Sequence, residues 1–300
     1  MIAFRVNVWH PCFMKIRWAL FSAVFLALLA ATTDARALVL NWDTIVWPAG
    51  SLTNSFDLNA DAVNDIKITI SGDTAGAFAL GPISTNRTGL GAPNNIINGG
   101  TIGDEYSLLL YISAAGWTLD TQSITVTVDF LSYGGATGVN YKLFDVDVSG
   151  PGFPASTNSP GTAAYDDQIR GIRGSNSTGY VGATVTGSLS NQVLGTAGTT
   201  NQTVRGIGSV GGNTNLGNVT IDFGTTTVIN QFQFTWGNDA SSTSSNPGIQ
   251  LIGFHDINFL PIIPEHGTAS MSLLVCLLAV VGIRFVHVGQ RLKPLKVTGR

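Results

Sequence analysis

Four aspartates in two short groups, Asp145 with Asp147 and Asp166 with Asp167, form the densest polar constellation of the chain, and His255-Asp256 follows later. Carboxylates in loops at strand ends suit calcium, a hard cation that takes roughly six to eight oxygen ligands and is abundant enough outside cells to fill weak sites. Asp145, Asp147, Asp166, Asp167 and Asp256 are therefore the candidate calcium ligands, with His255 expected beside them. A spacing of two puts Asp145 and Asp147 on one face of a strand. The same aspartates would equally cap turns, bind backbone N–H groups in Asx-turns or pair with Arg170 and Arg173.

Catalytic chemistry finds less support. A glycosidase needs two carboxyls about 5 to 9.5 Å apart, and with sixteen acids between Leu38 and Ile263 some pair always qualifies. No nucleophile elbow, zinc-binding His pair or phosphate-cradling loop occurs. His255 is the one histidine between the two terminal segments, which makes a Ser-His-Asp triad hard to assemble. No catalytic residue is assigned. Aromatics could instead stack on sugars, with Trp117, Tyr133, Tyr165, Tyr180 and Trp236 as candidates. Trp236 shares a face with Phe232 and Phe234 and is expected in the core; Tyr180, flanked by glycine, is the better surface candidate.

The elements that must carry these residues are strands. Alternating or β-branched runs recur at Ile66 to Ile70, Tyr106 to Ile112, Ser123 to Phe130, Val139 to Val146, Val219 to Phe223 and Ile229 to Trp236. Glycine pairs at Gly99-Gly100, Gly134-Gly135 and Gly211-Gly212 punctuate them, and no amphipathic helical stretch of useful length appears. Thr184-Val-Thr186 and Gly217-Asn-Val-Thr220 read as outer strands, and the Gly179 to Asn218 stretch has no constant period that would make it a solenoid. The expected fold is all-β, a two-sheet antiparallel sandwich of jelly-roll or Ig-like kind over residues 38–260.

Charged residues make up 11% of the chain and glycine 36 of its 300 residues. Between Leu38 and Ile263, six basic residues face the sixteen acidic ones, so nucleic acid is excluded as a partner. The two cysteines, Cys12 and Cys276, both fall in the terminal segments, so this region must be held together by packing without a disulfide.

Lys15 and Arg17 precede the apolar run Trp18 to Ala31, and Ala35-Arg36-Ala37 then offers the small-residue spacing that signal peptidase accepts. Residues 1–37 are read as a signal helix, cleaved between Ala37 and Leu38, with Met14 as an alternative start. At the other end, residues 261–300 hold Pro264-Glu265-His266, the apolar run Ser270 to Ile283 and the basic tail Arg284, Arg291, Lys293, Lys296 and Arg300. Such an order should form a transmembrane helix with its C-terminus inside and the folded region outside.

That tripartite end resembles the PEP-CTERM proteins of certain Gram-negative bacteria, whose Pro-Glu-Pro motif, apolar helix and basic end are read by an exosortase. It departs from them at His266, where the family has its second proline, and in a longer basic tail. The resemblance implies cleavage near Pro264-Glu265 and delivery to the surface or an extracellular matrix; without cleavage the chain stays a single-pass membrane protein. The order of Trp42 and Trp47, Asn98-Gly99-Gly100, Phe144-Asp145-Val-Asp147, Asp166 to Ile169 and Gly253 to Phe259 also resembles β-sandwich ectodomains found ahead of such signals. Together these features imply an exported, noncatalytic surface or matrix protein, with signal peptidase, an exosortase-like protease, the membrane and exopolysaccharide as partners. The alternatives are a calcium-assisted, lectin-like carbohydrate-binding module and, more remotely, a glycan hydrolase.

Overall fold

Strict alternation decides which face of each strand is buried. In the computed structural model, which describes residues 36–48, 51–72, 97–100, 105–113, 123–131, 134–148, 165–239 and 249–262, the strand Ser123–Phe130 buries Ile124, Val126, Val128 and Phe130 and leaves the residues between them half-exposed. Its neighbours repeat the pattern in register. Ile68 lies opposite Val128 on one side and Phe232 opposite it on the other. A row of apolar side chains thus crosses three strands on one face, and burying it is what fixes the register.

Fifteen strands occur among the described residues, in chain order β1 (Leu38–Leu40), β2 (Thr53–Phe56), β3 (Ile66–Gly72), β4 (Leu108–Ser113), β5 (Ser123–Phe130), β6 (Ala136–Phe144), β7 (Asp167–Asn176), β8 (Gly179–Val181), β9 (Thr184–Gly187), β10 (Asn191–Leu194), β11 (Thr203–Gly206), β12 (Val219–Asp222), β13 (Gln231–Asn238), β14 (Ile249–Phe254) and β15 (Ile257–Pro261). They form two antiparallel sheets. One has the order β1-β15-β6-β12-β9, with β14 joining β6 to β4; the other runs β10-β11-β7-β13-β5-β3-β2, with β8 on the end of β7. All belong to one compact unit, Ala35–Ile263.

The two sheets meet through aromatics. Tyr141 of β6 stacks on Phe232 of β13 with centroids 4.6 Å apart, Phe254 of β14 meets Tyr141 and Phe234 edge-on at 5.4 Å, and Phe130 of β5 lies 4.9 Å from Phe259 of β15. Each such ring contributes about 1.5–3 kcal/mol by burial alone, which is how the unit does without a disulfide. Trp42 and Trp47, fully buried, pack with Phe56 and Phe254. A smaller apolar cluster of Ile97, Leu109 and Phe144 lies apart from this core. Gly99 rests on it at a φ of 61°, and a Cβ there would lie 2.6 Å from the Phe144 ring.

The expected sandwich is therefore seen, with differences. β15 includes Pro261, paired with Ala136, and Ile262 exchanges backbone hydrogen bonds with Gly134 and Gly135, so the sheet extends past residue 260. β6 stops at Phe144 instead of running on to Val146, because Asp145 takes a left-handed φ of 64°. Asp145 and Asp147 thus do not share the face of a strand. β7, ten residues at the centre of its sheet, is absent from the runs that alternation picks out. The signal segment up to Ala35 and the C-terminal segment with Pro264, Glu265, His266 and the apolar run lie outside the described residues, among which no helix is long and apolar enough to cross a membrane.

Candidate functional site: a buried aspartate cluster

The chain leaves β6 at Asp145 in a left-handed turn that aspartate tolerates better than most residues. Two glycines let it pass: a Cβ on Gly217 would sit 3.2 Å from the Asp145 Cα, and one on Gly212 would sit 3.2 Å from its Oδ2. Val146 N–H donates to Gly217 O at 3.0 Å, and Asn191 Nδ2 donates to Val146 O at 3.2 Å. Asp147 is thereby delivered, almost wholly buried, to the start of β7.

There the two halves of the constellation lock together. Asp167 N–H donates to Asp147 O at 2.9 Å, and Asp147 N–H donates to Asp167 Oδ2 at 3.2 Å. Asp147 Oδ2 accepts from Val210 N–H at 2.8 Å, and its Oδ1 accepts from the Tyr165 hydroxyl at 3.4 Å. Asp167 Oδ1 accepts from the Trp236 indole at 2.8 Å. Asp166 is fully buried, bridges Val148 through its backbone and accepts from Asp239 N–H at 2.8 Å. Gly206 lies flat on Asp147, where a Cβ would come within 2.2 Å of its carbonyl oxygen.

Burial and crowding make these carboxyls hard to ionise. Desolvation pushes Asp145 up to about 7. Asp147 is pushed up to about 8 by burial and then by the charge of Asp145, with Asp166 adding to the rise and the bonds from Val210 and Tyr165 opposing it. Asp167 is raised by burial and by Asp147, against the bond from Trp236. Tyr165, beside the same carboxylates, is raised by burial first. Near neutral pH such a cluster must either hold protons or gain a positive charge from outside.

Asn238 joins this cluster without having been singled out in the sequence. It is 1% exposed, and neither its carboxamide oxygen nor its nitrogen has a hydrogen-bond partner. It stands directly opposite Asp167 across the β13–β7 pair, so the two side chains share a face. The same face carries Trp236, whose indole already reaches Asp167.

Asp256 keeps other company. Its Oδ1 accepts from Trp42 N–H at 2.9 Å, and its carboxyl is raised by burial, with Glu105 and Asp43 also raising it and the Trp42 bond and His255 lowering it. Glu105 Oε1 and His255 Nε2 lie 2.7 Å apart. Ligand atoms of Glu105, His255 and Asp256 all come within 4.8 Å of one another, the one described His/Cys/Asp/Glu group with that spacing. Glu105 was invisible in the sequence because its partners lie 150 residues away. The expected five-aspartate set is thus divided between two places. Of the expected arginine partners, Arg170 bonds Gln168, and Arg173 lies 4.1 Å over the ring of Tyr180.

Tyr180, on β8, is 66% exposed. Trp236 is fully buried, as its shared face with Phe232 and Phe234 required. Tyr165 is half-buried against Asp147, and Trp117 and Tyr133 lie outside the described residues. Ala37 is exposed and Leu38 opens β1.

No protein-family model matches this chain, and no curated protein matches it. Among solved structures, it is similar to TmCBM27, a carbohydrate-binding module described for specific mannan recognition, at 12% identity and a TM-score of 0.25, over 52% of this chain and 74% of that one. A likeness at that level carries nothing about ligand or activity.

Proposed function

We propose that this chain is an exported, noncatalytic surface or matrix protein of a Gram-negative bacterium, whose β-sandwich is delivered by the N-terminal signal and sorted or anchored through the C-terminal segment. The order of its parts carries the reading. A basic, apolar and small-residue leader precedes a compact unit spanning Ala35–Ile263, and Pro264-Glu265, an apolar run and a basic tail follow it at once. Signal peptidase and an exosortase-like protease are the processing partners, and the membrane and exopolysaccharide are the contacts. Intact mass and fractionation of the protein from its host, with and without the sorting protease, test this. A surface species running from Leu38 to near Pro264 is expected. A species retaining Cys276 in the membrane would make the chain an anchored ectodomain, and an unprocessed species in the cytoplasm would refute export.

One observation favours a second reading, a calcium-assisted carbohydrate-binding module. Tyr180 offers an exposed ring on a strand, and the guanidinium of Arg173 lies over it, which stiffens an aromatic platform. Tyr180→Ala should weaken retention on the host's exopolysaccharide in affinity electrophoresis at least threefold; unchanged mobility would remove this reading.

A further inference from the structure

We infer that Asp145, Asp147, Asp167 and Asn238 together hold one divalent cation, calcium, between the end of β6 and the start of β7. Two independent observations meet there. The first is the carboxylate cluster itself, in which Asp147 and Asp167 are almost or wholly buried and joined through each other's backbone. The second is Asn238, a buried carboxamide with no hydrogen-bond partner, on the same face as Asp167 and directly opposite it. A buried amide left unpaired costs about 1–3 kcal/mol, and on the same face as the Asp167 carboxyl its oxygen finds a natural partner in a metal ion bound among the aspartates. Asp145 repeats the signal: its Oδ1 is inaccessible to solvent and has no hydrogen-bond partner.

The donor set decides which ion. Every donor is oxygen, three of them anionic and one a neutral carbonyl, which suits calcium. Zinc would prefer the imidazole of His255 in the other group. The aspartates stand wider than that group, whose ligand atoms lie within 4.8 Å of one another. An ion with bonds of about 2.3–2.6 Å would draw them together. Gly206, Gly212 and Gly217 then have a common purpose, since side chains at those positions would crowd Asp145 and Asp147.

This inference goes beyond the export reading and does not depend on it: a cytoplasmic protein would leave cation binding standing. Trp236 provides a local probe because its indole touches Asp167. Full-length protein in detergent, stripped with chelator, is titrated with terbium under tryptophan excitation, and calcium is then added in competition. Sensitised luminescence that calcium displaces is expected. Asn238→Leu removes the carbonyl donor while keeping size and apolar packing; it should weaken calcium at least tenfold and leave unfolding in chelator no earlier than in wild type. Asp145→Asn, which keeps the shape of the side chain and a residue type that tolerates the left-handed turn, should weaken calcium by a similar factor, and Glu105→Gln should leave it within twofold. No displaceable luminescence, undiminished affinity in the Asp145 and Asn238 variants, or loss confined to Glu105→Gln would each overturn the assignment.

Discussion

Replacing Asp145 by Asn should make the protein more stable when calcium is absent, and increasingly so as the pH rises. Asp145 loses its hydration in the fold and takes up its proton at about 7 instead of the ordinary carboxylate value of 3.8. The folded state therefore binds more protons than the unfolded one between those values, and stability falls across that window as pH increases. The full gap corresponds to about 4 kcal/mol. Asp145 is only partly shielded from water, which brings the expected figure nearer ~2 kcal/mol. Asparagine has the same shape and no charge to lose, and removing the Asp145 charge also relieves Asp147. In chelator, wild type and variant should be equally stable near pH 4, and the variant should lead by about 2 kcal/mol at pH 8. Denaturant unfolding of both proteins at several pH values reads the difference, which cancels the titrating groups that Asp145 does not influence and keeps the relief of Asp147 with the same sign. A difference that does not vary with pH, or one that favours wild type at pH 8 in chelator, would refute the burial argument. With calcium present the sign should reverse, because the variant gives up a ligand.

Gly206→Ala should cost about 3 kcal/mol, since the added methyl collides with the Asp147 backbone oxygen, Asp147 cannot move without breaking its bonds to Asp167, and Gly206 is held by its pairing with Asn191; a thermal midpoint within a degree or two of wild type would contradict this. Tyr141→Phe should stabilise the chain by ~1 kcal/mol, because the Tyr141 hydroxyl is buried without a hydrogen-bond partner while its ring keeps its stack on Phe232. A loss of stability there would mean that the hydroxyl is satisfied. Ala62→Gly should gain about 0.5 kcal/mol by relieving a φ of 68°, part of the gain being offset by the freer unfolded chain; chemical denaturation with no gain would show that the strain is already relieved.

The class of fold and the inner faces of the strongest strands could be read from residue order. Ile124, Val126 and Val128 alternate with polar residues, and Phe232, Phe234 and Trp236 do the same, so each strand carries its burial pattern locally, and Trp236 could be assigned to the core before any neighbour was known. Residue order also marked Asp145, Asp147, Asp166 and Asp167 as one constellation. It did not reveal β7, whose Arg170, Gly171, Arg173 and Gly174 dilute the alternation although Ile169 and Ile172 are fully buried; β13 and β11 on either side supply the pairing that makes it a strand. Which polar groups meet depends on strand pairing. Asn238 faces Asp167 only because β13 pairs with β7, Glu105 reaches His255 because β4 pairs with β14, and Asp256 leaves the other aspartates because its own loop packs on Trp42. Period and composition are written between neighbours in sequence; a site built from residues 20 to 214 positions apart is written in strand order, which follows from how whole sheets bury their faces.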